Sequence, residues 1–265
     1  MNKRPLALIT GGSSGLGLQF AKNLAQAGYS ILIIARDTKK LGAAVEAIKA
    51  TGSLDVIGFT ADISDYESFK PVIHHLKTHR LTLDFLIINA GIAYVSTLQE
   101  SDINKLREVL NINLLGSMLS TKVFLDHMTR NKKAKILFIS SAAGLVGLAG
   151  YTAYGASKAG LINFASALRR ELLGHIAVYV ACPGDIDTPQ YASELTQMPD
   201  WMKTNSARSA AKPVEVIAAR ILKKCRQKKF EIYTNNDIFF LLSVLPRFLP
   251  RKLFHWIADH LLPRP

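Results

Sequence analysis

Seven short apolar runs recur along the 265-residue chain: "LALIT" (6–10), "SILIIA" (30–35), "DVIGFTA" (55–61), "FLIINA" (85–90), "KILFISS" (135–141), "IAVYVAC" (176–182) and "FEIYT" (230–234). Each is continuous rather than alternating, which is how a strand reads when both of its faces are buried. Amphipathic stretches of helical length lie between them, such as "AGLINFASALRRELLG" (159–174) and "PVEVIAARILKKCRQ" (213–227), the second opening on a proline suited to a helix start. The alternation predicts an α/β fold, a doubly wound parallel sheet of about seven strands flanked by helices on both faces. With 49% hydrophobic residues, the chain can fill one large core. We expect one domain over 1–235 and an apolar, basic C-terminal tail over 236–265. Residues 185–212, rich in Thr, Ser, Pro, Met and Ala, break the rhythm as a loop or short helices suited to covering a site.

The two cysteines, Cys182 and Cys225, are far apart and in no metal-ligand spacing, so neither a disulfide framework nor a zinc site is expected, and a cytoplasmic setting is. Cys182 reads as a small buried strand residue. The apolar run in "MNKRPLALITGG" ends in a glycine turn rather than a small-residue cleavage site, and so reads as a first strand. A net charge of +13 admits nucleic acid, an anionic membrane surface or an anionic ligand. No zinc-finger spacing, aromatic RNA-binding signature or block of basic residues is present, so no nucleic-acid partner is expected. His74, His75 and His79 lie on a charged helix and read as solvated, without a ligand set.

After the first run comes "TGGSSGLG", in which Thr10, Gly11, Gly15 and Gly17 follow the pattern T-G-x-x-x-G-x-G. Glycines permit a tight turn and close approach of backbone N–H groups to a diphosphate, and the following helix points its positive end at it. Placed between a first strand and a first helix, the segment predicts a Rossmann-type dinucleotide site. At the end of the second strand, "IIARDTKK" places Arg36 where an arginine accepts the ribose 2′-phosphate of NADP, with Lys39 and Lys40 beside it. NADP(H) is therefore the expected cofactor. Asp37 is read as the N-cap of the next helix, and the two lysines also read as a solvated face.

"YTAYGASKAG" (151–160) puts Tyr154 and Lys158 one helical turn apart on one face, with Tyr151 one turn earlier. With "NAG" (89–91), "NLLG" (113–116), "ISSAAG" carrying Ser141, "YGASK" and "PGDIDT" (183–188), the chain resembles the classical short-chain dehydrogenases/reductases over roughly residues 5–235. The resemblance implies an NADP-dependent oxidoreductase with Asn113, Ser141, Tyr154 and Lys158 as its catalytic residues. Tyr154 would be the general acid, Lys158 the cation that makes its phenol acidic enough, Ser141 a donor to the substrate carbonyl, and Asn113 the holder of a proton-relaying water. It further implies cofactor contacts from Thr10, Gly11, Ser13, Ser14, Gly15, Leu16 and Gly17, from Arg36 and Lys40, and from Asp62 and Ile63 at the adenine. Asn89, Ala90, Gly91, Pro183, Gly184 and Thr188 would line the remainder with Tyr154 and Lys158. Tyr151 reads as packing at the mouth of the site.

Within the family, "SSAAGLVGLAGYTAYGASKAG" with "DIDTP" is similar to the 3-ketodihydrosphingosine reductase branch, which implies a long-chain β-keto amine as substrate and a role in sphingolipid metabolism. Asp185 or Asp187 would then pair with the substrate ammonium; the competing reading has these aspartates capping the next loop. The tail "DIFFLLSVLPRFLPRKLFHWIADHLLPRP" has an apolar stretch too short to span a bilayer, and its Trp and basic residues suit peripheral contact with the cytosolic face of a membrane. A subunit contact or a cover over the pocket would use the same residues. The resemblance implies a homo-oligomer. Reduction of another hydrophobic carbonyl or a 3-oxoacyl group is the alternative activity, and a non-catalytic NADP-binding interaction protein is the alternative of a different class.

Overall fold

The computed structural model describes residues 4–52, 55–128, 133–202, 211–234, 248–250, 252–254 and 260. The sequence runs become strands β1 (Leu6–Thr10), β2 (Ser30–Ala35), β3 (Val56–Thr60), β4 (Phe85–Ile88), β5 (Lys135–Ile139) and β6 (Ala177–Cys182). After them come the short pair β7 (Ile186–Asp187) and β8 (Lys212–Pro213), then β9 (Glu231–Tyr233). The helices are α1 (Gly15–Gln26), α2 (Thr38–Lys49), α3 (Lys70–Thr78), α4 (Ile103–Leu110), α5 (Ser117–Leu125), α6 (Thr152–Glu171), α7 (Pro189–Gln197) and α8 (Val214–Arg226). The main sheet is parallel throughout, in the order β3-β2-β1-β4-β5-β6-β9, so the expected doubly wound seven-stranded sheet is present.

The continuous apolar runs follow from two helical layers sharing one sheet. In β1, Leu6 and Leu8 face one core while Ala7 and Ile9 face the other; in β5, Ile136 and Phe138 divide from Leu137 and Ile139 in the same way. The first core takes Phe69, Leu76, Phe124, Leu161 and Leu168 from the α3, α5 and α6 side. The second takes Phe20, Leu24, Leu41 and Ile48 from α1 and α2, and Ile217 and Ile221 from α8. Neither face of β1 is left for solvent, so no position along it can be polar without a partner, and its one polar residue, Thr10, has several.

Strand order reverses between β1 and β4, and there the loops leaving adjacent strands diverge and open a crevice at their carboxyl ends. The segment expected to cover a site supplies β7, α7 and β8. The C-terminal tail, and with it the expected membrane-facing residues, lies outside the described residues apart from 248–250, 252–254 and 260. Among the described residues no helix is long and apolar enough to cross a membrane.

The aromatic rings of Phe69 and Phe124 meet edge to face, 5.4 Å apart, and both are fully buried. Truncating Phe124 to Ala should therefore cost about 3–5 kcal/mol through lost burial and the cavity left behind. Leu173→Ala, at a site 73% exposed, should stay within about 0.5 kcal/mol. Urea unfolding of the two variants beside the parent checks both, and equal midpoints would contradict the assignment of Phe124 to the core.

Candidate active site

The glycine turn after β1 is fixed from both neighbouring strands. Gly11 and Gly12 donate their N–H groups to the Ile34 carbonyl at 2.8 and 3.2 Å. The Thr10 hydroxyl accepts the N–H groups of Asn89 and Ala90 at 3.0 and 3.1 Å, and the Asn89 amide donates back to the Thr10 and Gly11 carbonyls. Thr10 is thus fully buried and ties the loop after β1 to the loop after β4, while Gly11, Asn89, Ala90 and Gly91 line the cavity. Gly17 is required by packing, since a Cβ there would stand 2.2 Å from the Gly11 carbonyl oxygen.

The cavity encloses about 410 Å³ along the carboxyl ends of the strands. At one end lie Ser13, Ser14, Gly15 and Leu16 at the start of α1, where the N-cap Ser14 makes no side-chain capping bond and the first turn carries no acid. Arg36, Lys40, Asp62 and Ile63 continue that wall. Asp37 is the N-cap of α2, its carboxylate accepting the Lys40 N–H at 3.0 Å, as the capping reading expects. Arg36 stands 3.8 Å from Asp62, both partly exposed, which leaves the guanidinium within reach of an anion. Asp62 is otherwise held by the Ser64 N–H and hydroxyl at 2.9 and 2.7 Å. Free helix N–H groups, a close-packed glycine turn and a basic rim are the donor set a dinucleotide needs, so the residues present fit a nicotinamide cofactor.

At the other end, helix α6 presents one buried stripe, Tyr154, Ser157, Lys158, Leu161, Ala165 and Leu168, with the spacing of an amphipathic helix. Its amino-terminal part is pressed against the turn that follows β5. A Cβ at Gly144 would stand 2.8 Å from the Lys158 carbonyl carbon, and the Ser140 hydroxyl donates to the Lys158 carbonyl oxygen at 2.8 Å. This contact brings Ser141 to the neighbourhood of the Tyr154 phenol, and both line the cavity. Ser141 also accepts the Ala143 N–H at 3.2 Å.

Lys158 is only 4% exposed; its ammonium donates to the Ile139 carbonyl at 2.9 Å and sits 5.7 Å from the centre of the Tyr154 ring. Burial pulls its pKa down to about 8, against the opposing pull of Glu194. The Tyr154 phenol is pushed up from its ordinary value by burial, and further by the negative charges of Glu194 and Asp185, while the neighbouring Ser141 hydroxyl pulls the other way. Asn113 lies in a π-helical stretch, Asn111–Gly116, between α4 and α5. Its amide is fully spent: the oxygen accepts the Ile92 N–H at 2.8 Å, and the nitrogen donates to the Ile92 carbonyl at 2.8 Å and to Ser157 at 3.1 Å. Such bulges free backbone carbonyls and recur at functional sites.

Pro183, Gly184, Asp185 and Thr188 line this end, Thr188 also capping α7 by accepting the Tyr191 N–H. Asp187 does not line the cavity: it is exposed on the short ladder opposite Pro213, one residue before the chain turns into α7. Of the two aspartates expected to face a substrate, only Asp185 lines the cavity. Tyr151 does more than pack at the mouth. It is buried, its ring lies 5.6 Å from that of Tyr154, and its hydroxyl donates to the Glu194 carboxylate at 2.9 Å. Glu194 is the cavity residue that sequence reasoning missed. Nothing in "PQYASELTQ" marks it, since an acid on a short polar helix ordinarily faces water. His75 is half-buried against Phe59 rather than wholly solvated. Cys182 is buried in its strand, as expected.

The short chain dehydrogenase family model matches residues 5–199. A 3-dehydrosphinganine reductase of Arabidopsis thaliana is 33% identical over 254 residues, covering 94% of this chain and 75% of the relative. The Danio rerio protein of the same name is 32% identical over 242 residues, covering 89% of this chain and 73% of the relative. An 11-beta-hydroxysteroid dehydrogenase-like protein of Arabidopsis thaliana is 33% identical over 212 residues, covering 79% and 68%. A Burkholderia phymatum short chain dehydrogenase/reductase solved with NAD has the same fold, with a TM-score of 0.81 at 23% identity over 99% of this chain and 97% of that one. The match over most of the chain, and the fold and cavity that accompany it, place this protein in the short-chain dehydrogenase/reductase family of oxidoreductases, whose Rossmann domain binds NAD(P)(H).

Proposed function

We propose that this protein is an NADPH-dependent reductase of a long-chain lipid ketone, its substrate being 3-ketodihydrosphingosine and its product dihydrosphingosine. The observation that carries the reading is the meeting of Ser141, Tyr154 and Lys158 at one end of a cavity whose wall there includes a carboxylate, Asp185. The similarity to 3-dehydrosphinganine reductases along almost the whole chain supports it. A second reading, reduction of another hydrophobic carbonyl, draws on the equal identity to an 11-beta-hydroxysteroid dehydrogenase-like protein over a shorter span.

When bound, the nicotinamide cofactor supplies a hydride to the carbonyl carbon. The chain does the rest. The backbone of Gly11 and of Ser13–Leu16 would hold the diphosphate, Asp62 and Ile63 the adenine side, and Arg36 with Lys40 a 2′-phosphate. Ser141 donates a hydrogen bond to the substrate carbonyl oxygen and so holds it where negative charge develops. Tyr154 gives its proton to that oxygen. A phenol pushed up by burial is fully protonated at neutral pH and still less basic than an aliphatic alkoxide, so the transfer runs in the direction of reduction. The Lys158 ammonium then stabilises the phenolate left behind, and Asn113, whose side chain is immobilised, would hold the water that resupplies the proton.

Three outcomes are expected. Arg36→Ala should raise the KM for NADPH about tenfold or more and leave that for NADH within about twofold, because only the former loses a charged phosphate contact; steady-state kinetics with both cofactors checks this, and equal effects would refute the NADP assignment. The ammonium of Lys158 is present below its pKa of about 8 and lost above it. The kcat/KM for reduction should accordingly fall as pH rises through that value, and a rate flat to pH 10 would remove the lysine from the proton-transfer scheme. We further propose that the tail contacts a membrane surface. Replacing Leu253 and Trp256 by Glu in the full chain should abolish flotation with anionic liposomes, and unchanged flotation would rule out the tail as the contact.

A further inference from the structure

The substrate end of the cavity carries a charge imbalance that hydride transfer does not need. Its described lining there holds one cation, Lys158, and two carboxylates, Asp185 and Glu194; the other two cations of the wall, Arg36 and Lys40, belong to the far end with Asp37 and Asp62. Lys158 spends a hydrogen bond on the Ile139 carbonyl. Among the described residues Asp185 makes no side-chain hydrogen bond or ion pair, and burial raises its pKa. Glu194 is held at both oxygens, by the Tyr151 hydroxyl at 2.9 Å and by the Gln190 amide at 2.9 Å. Both of those donors are neutral, so they orient the carboxylate without cancelling its charge. A half-buried carboxylate aimed by two neutral donors beside an unpaired one is costly unless a cation joins it.

We infer that Glu194, aimed by Tyr151 and Gln190, is the residue of α7 that with Asp185 receives the ammonium group of an amino ketone, and so sets selectivity for cationic over neutral substrates. This rests on the amino-ketone reading above, and locates its selectivity on a helix rather than in the D-x-D-T-P segment alone. The position of Tyr151 makes recognition and chemistry interdependent. Its ring contacts that of Tyr154, and the two carboxylates add to the burial that holds the Tyr154 phenol up. An ammonium bound between them neutralises those charges and makes the phenol a stronger acid at the moment a carbonyl is in place. A neutral ketone of the same length leaves the carboxylates uncompensated and the acid weak. An anionic one is repelled.

The test compares 3-ketodihydrosphingosine with its des-amino analogue in mixed micelles, using the parent enzyme, Glu194→Gln and Glu194→Asp, with NADPH binding by fluorescence as the control for folding. The glutamine keeps the shape and hydrogen-bonding capacity and removes the charge. Glu194→Gln should lower kcat/KM for the amino ketone about tenfold or more, as expected for loss of a charge-assisted hydrogen bond, and leave that for the des-amino ketone unchanged or higher. Glu194→Asp should restore part of the preference. A collapsed ratio with unaltered NADPH affinity supports the inference. If the parent prefers the amino ketone and Glu194→Gln keeps that preference, Glu194 is not the ammonium site and the substrate reading stands. If the parent shows no preference for the amine, the substrate reading fails and the inference falls with it.

Discussion

The burial of a lysine ammonium beneath a helix is the constraint on which the catalytic end of this protein depends. An ammonium that is 4% exposed loses most of its hydration and keeps its charge near neutrality only if the protein supplies an acceptor. The Ile139 carbonyl, at the end of β5, is that acceptor. To bring α6 within reach of it, the turn after β5 must lie against the backbone of α6, which the absence of a side chain at Gly144 permits. The same approach seats Ser141 against Tyr154 and lets Ser140 bond the Lys158 carbonyl. The serine, the tyrosine and the lysine are therefore not three independent placements. They are consequences of one helix packed closely on one strand end.

Much of this was legible in the sequence because close packing leaves a compositional trace. The seven strands showed as continuous apolar runs since helices cover both faces of the sheet, and Gly17 showed because any side chain there collides with the turn it follows. Asp37 read as a cap because a carboxylate three residues before a free N–H has a local reason to exist. What did not show is what depends on contacts distant in sequence. Glu194 enters the cavity only because Tyr151, 43 residues earlier, offers it a hydroxyl, and no local pattern encodes that pairing. Asp187 shared a motif with Asp185 yet ends outside the cavity, since pairing with the segment before α8 decides its direction. A motif gave the spacing of these acids along the chain, and tertiary pairing chose between them.

The π-helical stretch between α4 and α5 illustrates how a local irregularity is retained. A regular helix through Asn111–Gly116 would place every carbonyl in the ladder. Here the side chain of Asn113 takes over the backbone of Ile92, satisfying both its N–H and its carbonyl, and reaches Ser157 on α6. One asparagine thereby joins the loop after β4, the middle of the α4–α5 segment and the catalytic helix. Replacing it would leave several buried polar groups unpaired at once, a larger penalty than the bulge itself. Its retention thus has a structural cause as well as the catalytic one proposed: the side chain braces three segments, and the backbone carbonyl accepts the Ser117 hydroxyl at 2.7 Å.

The cavity is also polar along its length in the electrostatic sense. Arg36 and Lys40 mark one end, and Asp185 and Glu194 the other, with the buried ammonium of Lys158 behind the phenol. A ligand bearing phosphates is drawn to the N-terminus of α1, at the end where Arg36 and Lys40 offset Asp37 and Asp62, and is disfavoured at the acidic end by like charge. A ligand bearing an amine experiences the reverse. The two reactants are sorted by the same field before any shape is read, which matters in a crevice long enough to admit either in the wrong orientation. The overall charge of +13 conceals this arrangement, because the excess basic residues lie elsewhere on the chain and the lining balances three cations against acids placed at both ends. Net charge is a property of the surface, whereas orientation in this site follows from a handful of groups, of which Lys158 is buried and Asp185 and Glu194 are half-buried and so are less screened.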